Sequence, residues 1–200
     1  MIETRAYEST FQIRDVAADG RNLEGVAVPY DVWASLGWFR EMHAPRSLKR
    51  STDHTPNLPL LLFHDNRNFS IGHAIDWKHD DDGLRGVWRL NSSRDAQDAA
   101  QQVRDGDLTG MSIGFAPIRS EWTLADDWDP TLGPEHMDAV VRTESRLLEV
   151  SLTPTPAFVD AQVTAIRSAN RAEVLAALRG RKTPRLDAWR QYAAAARGDR

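Results

Sequence analysis

Apolar and polar residues alternate with a period of two through much of the chain up to Thr153, the spacing of strands that turn one face to a core. Phe11 and Ile13 alternate with Gln12 and Arg14, and Asp19-Gly20 reads as a turn. Glu24-Gly25-Val26-Ala27-Val28-Pro29-Tyr30 then reads as the second strand of an opening hairpin. Residues 32–50 lose the period: Trp33, Leu36, Trp38 and Phe39 cluster without repeating, and a short helix fits 45–50. That segment is expected to lie as a loop over the core. Residues 57–64, Asn-Leu-Pro-Leu-Leu-Leu-Phe-His, form a continuous apolar run of the kind found in strands buried on both faces. The run ends on His64-Asp65 and a turn-like Asn66-Arg67-Asn68. Residues 71–77 and 84–90 make a hairpin about Asp80-Asp81-Asp82-Gly83.

Ser92 is the expected N-cap of a helix, with Asp95 three residues on as the acid of a capping box. Ala96, Ala99, Ala100 and Val103 fall on one helical face, and Gly106 ends the helix. A strand over 110–122 carries Ser112, a polar loop spans 123–137, and the last long strand runs over 140–153. Period-two spacing there puts Leu148, Val150 and Leu152 on one face and Leu147, Glu149 and Ser151 on the other. After Pro154 and Pro156 the chain becomes rich in alanine and arginine, with helical patterns near 173–178 and 186–196. About eight strands with one inserted helix predict a mainly β fold with peripheral helices, an antiparallel β-barrel or sandwich. The expected division is a domain over 1–161 and a helical tail over 162–200.

Composition narrows this picture. A chain that is 41% hydrophobic and 27% charged is too apolar for wholesale disorder. The absence of cysteine excludes disulfides, thiolate metal sites and a cysteine nucleophile. No apolar run approaches the roughly 20 residues of a membrane-spanning helix, and residues 1–9 lack the apolar stretch of a secretory signal. Charge is uneven: residues 167–200 hold nine Lys/Arg against three Asp/Glu, while the rest of the chain holds sixteen against twenty-six. The basic tail either meets an acidic partner or forms a solvated helical face.

Three polar residues on apolar strands are of types that suit hydrolysis. Ser112, between Gly110 and Gly114, is either a plain strand residue or a nucleophile. His64 is either structural or the base that takes the serine proton. Glu149 either pairs with Arg142 or Arg146, or orients the imidazole. No cofactor or metal is expected. His64, His73 and His79 lack a spacing such as His-Glu-x-x-His, and Asp80-Asp81-Asp82-Gly83 lacks the alternating ligands of a calcium loop. Trp77 and Trp88, across the hairpin, are expected to pack on each other.

Several of these segments recur together in a known order. They are His64-Asp65 closing Pro-Leu-Leu-Leu-Phe, Ile71-Gly72, Gly83-Leu84-Arg85-Gly86, Gly110-Met111-Ser112-Ile113-Gly114-Phe115, and Leu148-Glu149-Val150-Ser151-Leu152 with Pro156-Ala157. This ordered set resembles the prohead maturation protease family of tailed bacteriophages over residues 24–161. Where that family often carries Pro-Gly-Ala-Phe, this chain has Glu41-Met42-His43-Ala44-Pro45-Arg46-Ser47-Leu48. The resemblance implies a serine endopeptidase whose fold is similar to the herpesvirus assemblin proteases, a β-barrel ringed by helices. Such an enzyme digests capsid precursor and scaffold segments inside the assembling prohead, in the bacterial host cytoplasm, and cleaves itself. The resemblance carries His64 onto the family's histidine and Ser112 onto its serine. Assemblins use a second histidine as third member; Glu149 stands in the strand where that member is expected, and His136 is its rival. A homodimer is expected by the same analogy, while membrane and nucleic acid are not expected partners. Backbone N–H groups would hold the oxyanion, with Gly114 and the loop after Leu152 as candidates. The competing reading is a catalytically silent β-barrel that binds capsid or scaffold protein during assembly; it keeps the apolar strands but has no need of Ser112 and His64.

Overall fold

Period-two stretches become strands almost throughout the computed structural model, which describes residues 3–7, 11–14 and 21–154. In chain order the elements are β1 (Glu3–Tyr7), β2 (Phe11–Arg14), β3 (Asn22–Pro29), β4 (Ala34–Ser35), β5 (Phe39–His43), α1 (Lys49–His54) and β6 (Pro59–Leu62). There follow β7 (Gly72–His79), β8 (Gly83–Leu90), α2 (Arg94–Asp105), β9 (Gly110–Thr123), a single 3-10 turn at Pro134–His136, and β10 (Asp138–Thr153). The expected turn at Asp19-Gly20 and the tail over 162–200 lie outside the described residues.

The sheet runs β1-β9-β10-β6-β7-β8-β3-β2, with β5 added to β10 and β4 to β5. Among the described residues the path does not close on itself, and the mainly β fold expected, a barrel or sandwich, takes the form of a curled half-barrel. It is also mixed: β10 pairs in parallel with β5 at its start and with β6 at its end. The cause is the length of β10, whose one edge is long enough to take two separate short strands. Residues 32–50 are likewise corrected from a loop to β4, β5 and the approach to α1. The aromatic cluster there has its own small core, in which Leu36, Phe39 and Val140 are buried and Trp38 stacks on Trp122 at 6.0 Å. β1 was not foreseen; it lies antiparallel along the outer edge of β9, with Ala6 opposite Ser112.

The main core gathers Leu23, Leu60, Leu84, Trp88, Met111, Ile113, Phe115, Val150 and Leu152 from β3, β6, β8, β9 and β10. Trp77 meets Trp88 edge to face at 5.5 Å, as cross-strand packing on the hairpin requires. Helix α2 covers part of this core with Ala96, Ala99 and Ala100. Its N-cap is Ser93 rather than Ser92: the Ser93 hydroxyl accepts from the Ala96 N–H at 3.2 Å. Asp95 thus falls too early to close a capping box, and serves as an acid in the positive first turn. Gly106 ends the helix in the left-handed conformation, φ 80°, donating to the Gln102 and Val103 carbonyls.

One irregularity decides which way β10 points its side chains. Leu147 pairs with Phe115, but Glu149 pairs with Gly114, so β10 spends an extra residue at a bulge. Leu147 therefore joins Val150 and Leu152 in the core, and Leu148 is left half-buried. The period-two assignment of Leu147 and Leu148 is corrected accordingly. Glu149 and Ser151 keep the face they were given, beside Ser112 and Gly114 of β9.

Candidate active site

Met111, Ile113 and Phe115 fill the core face of β9, which leaves Ser112 and Gly114 on the opposite face. Antiparallel register sets Ser151 of β10 opposite Ser112 and Glu149 opposite Gly114. Gly114 is the smallest possible neighbour for good reason. A Cβ at that position would overlap the Glu149 carboxylate, which occupies the space a side chain would take. The missing side chain makes the room in which that carboxylate sits.

His64 reaches the same place from the end of β6. The Phe63 N–H still donates to the Leu152 carbonyl, at 3.1 Å, continuing the ladder to β10. Phe63 and His64 then take φ 53° and 59°, and the Asp65 N–H closes the turn on the Leu62 carbonyl at 2.9 Å. Two consecutive left-handed residues without glycine are strained, by roughly 1–2 kcal/mol each. The turn is held by Asp65, whose carboxylate accepts from the Arg67 N–H at 3.1 Å and from the Asn68 amide at 2.8 Å. The Arg67 guanidinium, by hydrogen bonding to Asp65, holds that carboxyl below the usual aspartate range. The strained turn swings the imidazole back over the sheet.

The result is a linear chain of hydrogen bonds. Ser112 Oγ lies 2.5 Å from His64 Nε2, and His64 Nδ1 lies 2.7 Å from Glu149 Oε1. With the carboxylate ionised, Nδ1–H donates to Glu149, which leaves Nε2 free to accept the Ser112 proton. Ser112 is 1% exposed, while the His64 and Glu149 side chains are 26% and 14% exposed. The nucleophile candidate is thus shielded and the imidazole open on one side. Such a constellation can carry out acyl transfer: a hydroxyl, a base at its proton, and a carboxylate that orients the base.

The structure brings together His64, Ser112 and Glu149, and leaves His136 elsewhere. His136 sits in the 3-10 turn before β10, at the opposite end of that strand from Glu149, and is bound to Asp127 at 2.7 Å. The arginines that might have taken Glu149 are otherwise placed: Arg142 pairs with buried Glu41, and Arg146 is exposed. Sequence reasoning missed Ser151. Its hydroxyl donates to Glu149 Oε2 at 2.6 Å and accepts from the His64 N–H at 3.1 Å. The available signal was its position two residues from Glu149 on the same face.

Comparison with known proteins bears on this geometry. The model of the caudovirus prohead serine proteases matches residues 9–175. Among solved structures, the capsid assembly protease gp21 of bacteriophage T4 superposes with a TM-score of 0.54 at 13% identity. That alignment covers 78% of this chain and 98% of the T4 protein, and shows a shared fold. Comparison with the curated proteins finds no match. A family match over most of the chain, on a fold shared with a capsid protease, places this protein among the caudovirus prohead serine proteases, hydrolases of capsid maturation.

Proposed function

We propose that this protein cleaves capsid precursor and scaffold segments by acyl transfer through Ser112, His64 and Glu149. The observation that carries the reading is the unbroken sequence of contacts from Ser112 Oγ through both imidazole nitrogens to the Glu149 carboxylate. Ser112 attacks the scissile carbonyl as His64 Nε2 takes its proton, and the carboxylate stabilises the imidazolium that forms. His64 then gives the proton to the leaving amine, and water enters by the same route in reverse. Glu149 fills the place for which His136 was the rival.

On this reading the enzyme also cleaves itself, resembles the assemblin barrel in fold, pairs as a homodimer, and acts within the assembling prohead in the host cytoplasm. No helix among the described residues is long and apolar enough to cross a membrane. The test is co-expression of the chain with its cognate capsid precursor, following masses over time. Wild type is expected to trim the precursor, and Ser112→Ala to leave it whole. Equal, unprocessed products from both would favour the silent assembly factor instead.

A further inference from the structure

We infer that Ser151 is a positioning residue of the acyl-transfer site, whose hydroxyl couples the backbone of the His64 turn to the Glu149 carboxylate. The inference rests on the roles of Ser112, His64 and Glu149 proposed above.

Ser151 is fully buried, opposite Ser112 on β10 and level with Leu61 on β6. A buried strand serine ordinarily satisfies its hydroxyl on a nearby carbonyl. Here both bonds go to the acyl-transfer residues. Its single proton goes to Glu149 Oε2, and its lone pair receives the His64 N–H. Each bond answers a specific need. The ladder from β6 to β10 ends with the Phe63 N–H, because the chain turns left-handed at Phe63 and His64. The next inward N–H, that of His64, has no strand carbonyl to meet and takes the Ser151 oxygen instead.

The carboxylate has the complementary need. Glu149 Oε1 is engaged by His64 Nδ1, and Ser151 holds Oε2, so the carboxylate cannot rotate about its terminal bond without losing one partner. One hydroxyl thereby sets both the backbone that carries the imidazole and the carboxylate that orients it. An apolar residue at 151 would strand a backbone donor and a carboxylate oxygen together. The strained turn would then be free to relax, and the imidazole to leave Ser112.

The test compares Ser151→Ala and Ser151→Thr with wild type in steady-state peptide cleavage, thermal melting and proton NMR of the low-field His64 Nδ1–H. Ser151→Ala is expected to lower kcat by about 10–100-fold with KM within about threefold. It should also lose or broaden the low-field resonance while still melting cooperatively. Ser151→Thr keeps the hydroxyl and should recover most of kcat. Should Ser151→Ala not fold, Ser151→Cys, close in shape but a much weaker donor, takes its place with the same expectations. A kcat within about twofold of wild type in the hydroxyl-free variant, or a folded Ser151→Thr as slow as it, overturns the inference. If wild type cleaves nothing, the protease reading fails on its own and the resonance decides: loss without the hydroxyl supports the coupling, and persistence overturns it.

Discussion

Gly114→Ala is expected to separate Glu149 from His64 without disturbing the sheet. The backbone at Gly114 is not in the left-handed region, so alanine fits the strand conformation. The added Cβ would, however, overlap Glu149 Oε1 and lie 3.1 Å from both Cγ and Cδ of the same side chain. Ordinary van der Waals separation requires the carboxylate to retreat by about 1 Å. The Nδ1 to Oε1 contact, now 2.7 Å, would pass beyond the limit of a hydrogen bond at about 3.2 Å. Loss of a charge-assisted hydrogen bond is worth about 1.5–3 kcal/mol. Applied to the transition state, that is about 10–150-fold in kcat, with KM nearly unchanged. The assay is steady-state cleavage of a fluorogenic peptide spanning a capsid precursor junction, with thermal melting beside it. Gly106→Ala is the control. At φ 80° in the cap of α2, it should cost about 1 kcal/mol of stability and leave kcat alone. A folded Gly114→Ala enzyme with kcat within about twofold of wild type would refute the claim that the bare backbone at 114 exists to seat Glu149.

Other consequences follow from the buried polar network and the strained turn. Glu41 and Arg142 form an ion pair inside the sheet, so Glu41→Ala should cost about 3–5 kcal/mol in urea unfolding, and Glu41→Ala with Arg142→Met should recover much of it. An equal loss in the double variant would show that the pair itself, rather than a stranded cation, matters. Phe63→Asn relieves left-handed strain and should raise stability by about 1 kcal/mol, or about 2–4 °C in Tm; a fall would mean that the exposed ring packs usefully. His79 lies between Tyr30 and Thr52 at 2.8 and 2.9 Å. The Thr52 hydroxyl already donates to the Lys49 carbonyl, so it accepts from Nε2–H, and Tyr30 donates to Nδ1. The neutral ring is thus the satisfied form, and burial, then the Lys49 charge, lowers its pKa. With the folded pKa below the unfolded value, this stability is present above about pH 6.5 and lost as pH falls through the folded value. Urea melts at pH 7.5 and 5.5 should differ less in His79→Gln than in wild type; an unchanged difference would remove His79 from the account.

Local patterns carried the fold a good distance. The β7–β8 hairpin, the α2 face and the stop at Gly106 all depend on residues within a few positions of one another, and so were readable along the chain. β5 was hidden because Glu41, Met42 and His43 are all buried in a row while Phe39 feeds a second core, which erases the period. The Leu147–Glu149 bulge was hidden for another reason: an extra residue on one strand is defined only by its partner strand. Ser112, His64 and Glu149 were each weak in isolation, and only β9, β10 and β6 lying side by side unite them. The Phe63–His64 turn had no glycine or asparagine to announce its left-handed backbone, and that unannounced strain is what aims the imidazole.

The central claim is that Ser112 is a nucleophile activated by His64. A fluorophosphonate probe, followed by intact mass and peptide mapping, tests it most directly. Wild type should gain one adduct, on the peptide bearing Ser112, and His64→Ala should gain it far more slowly. A folded wild-type protein left unmodified, or modified at another residue, would contradict the account.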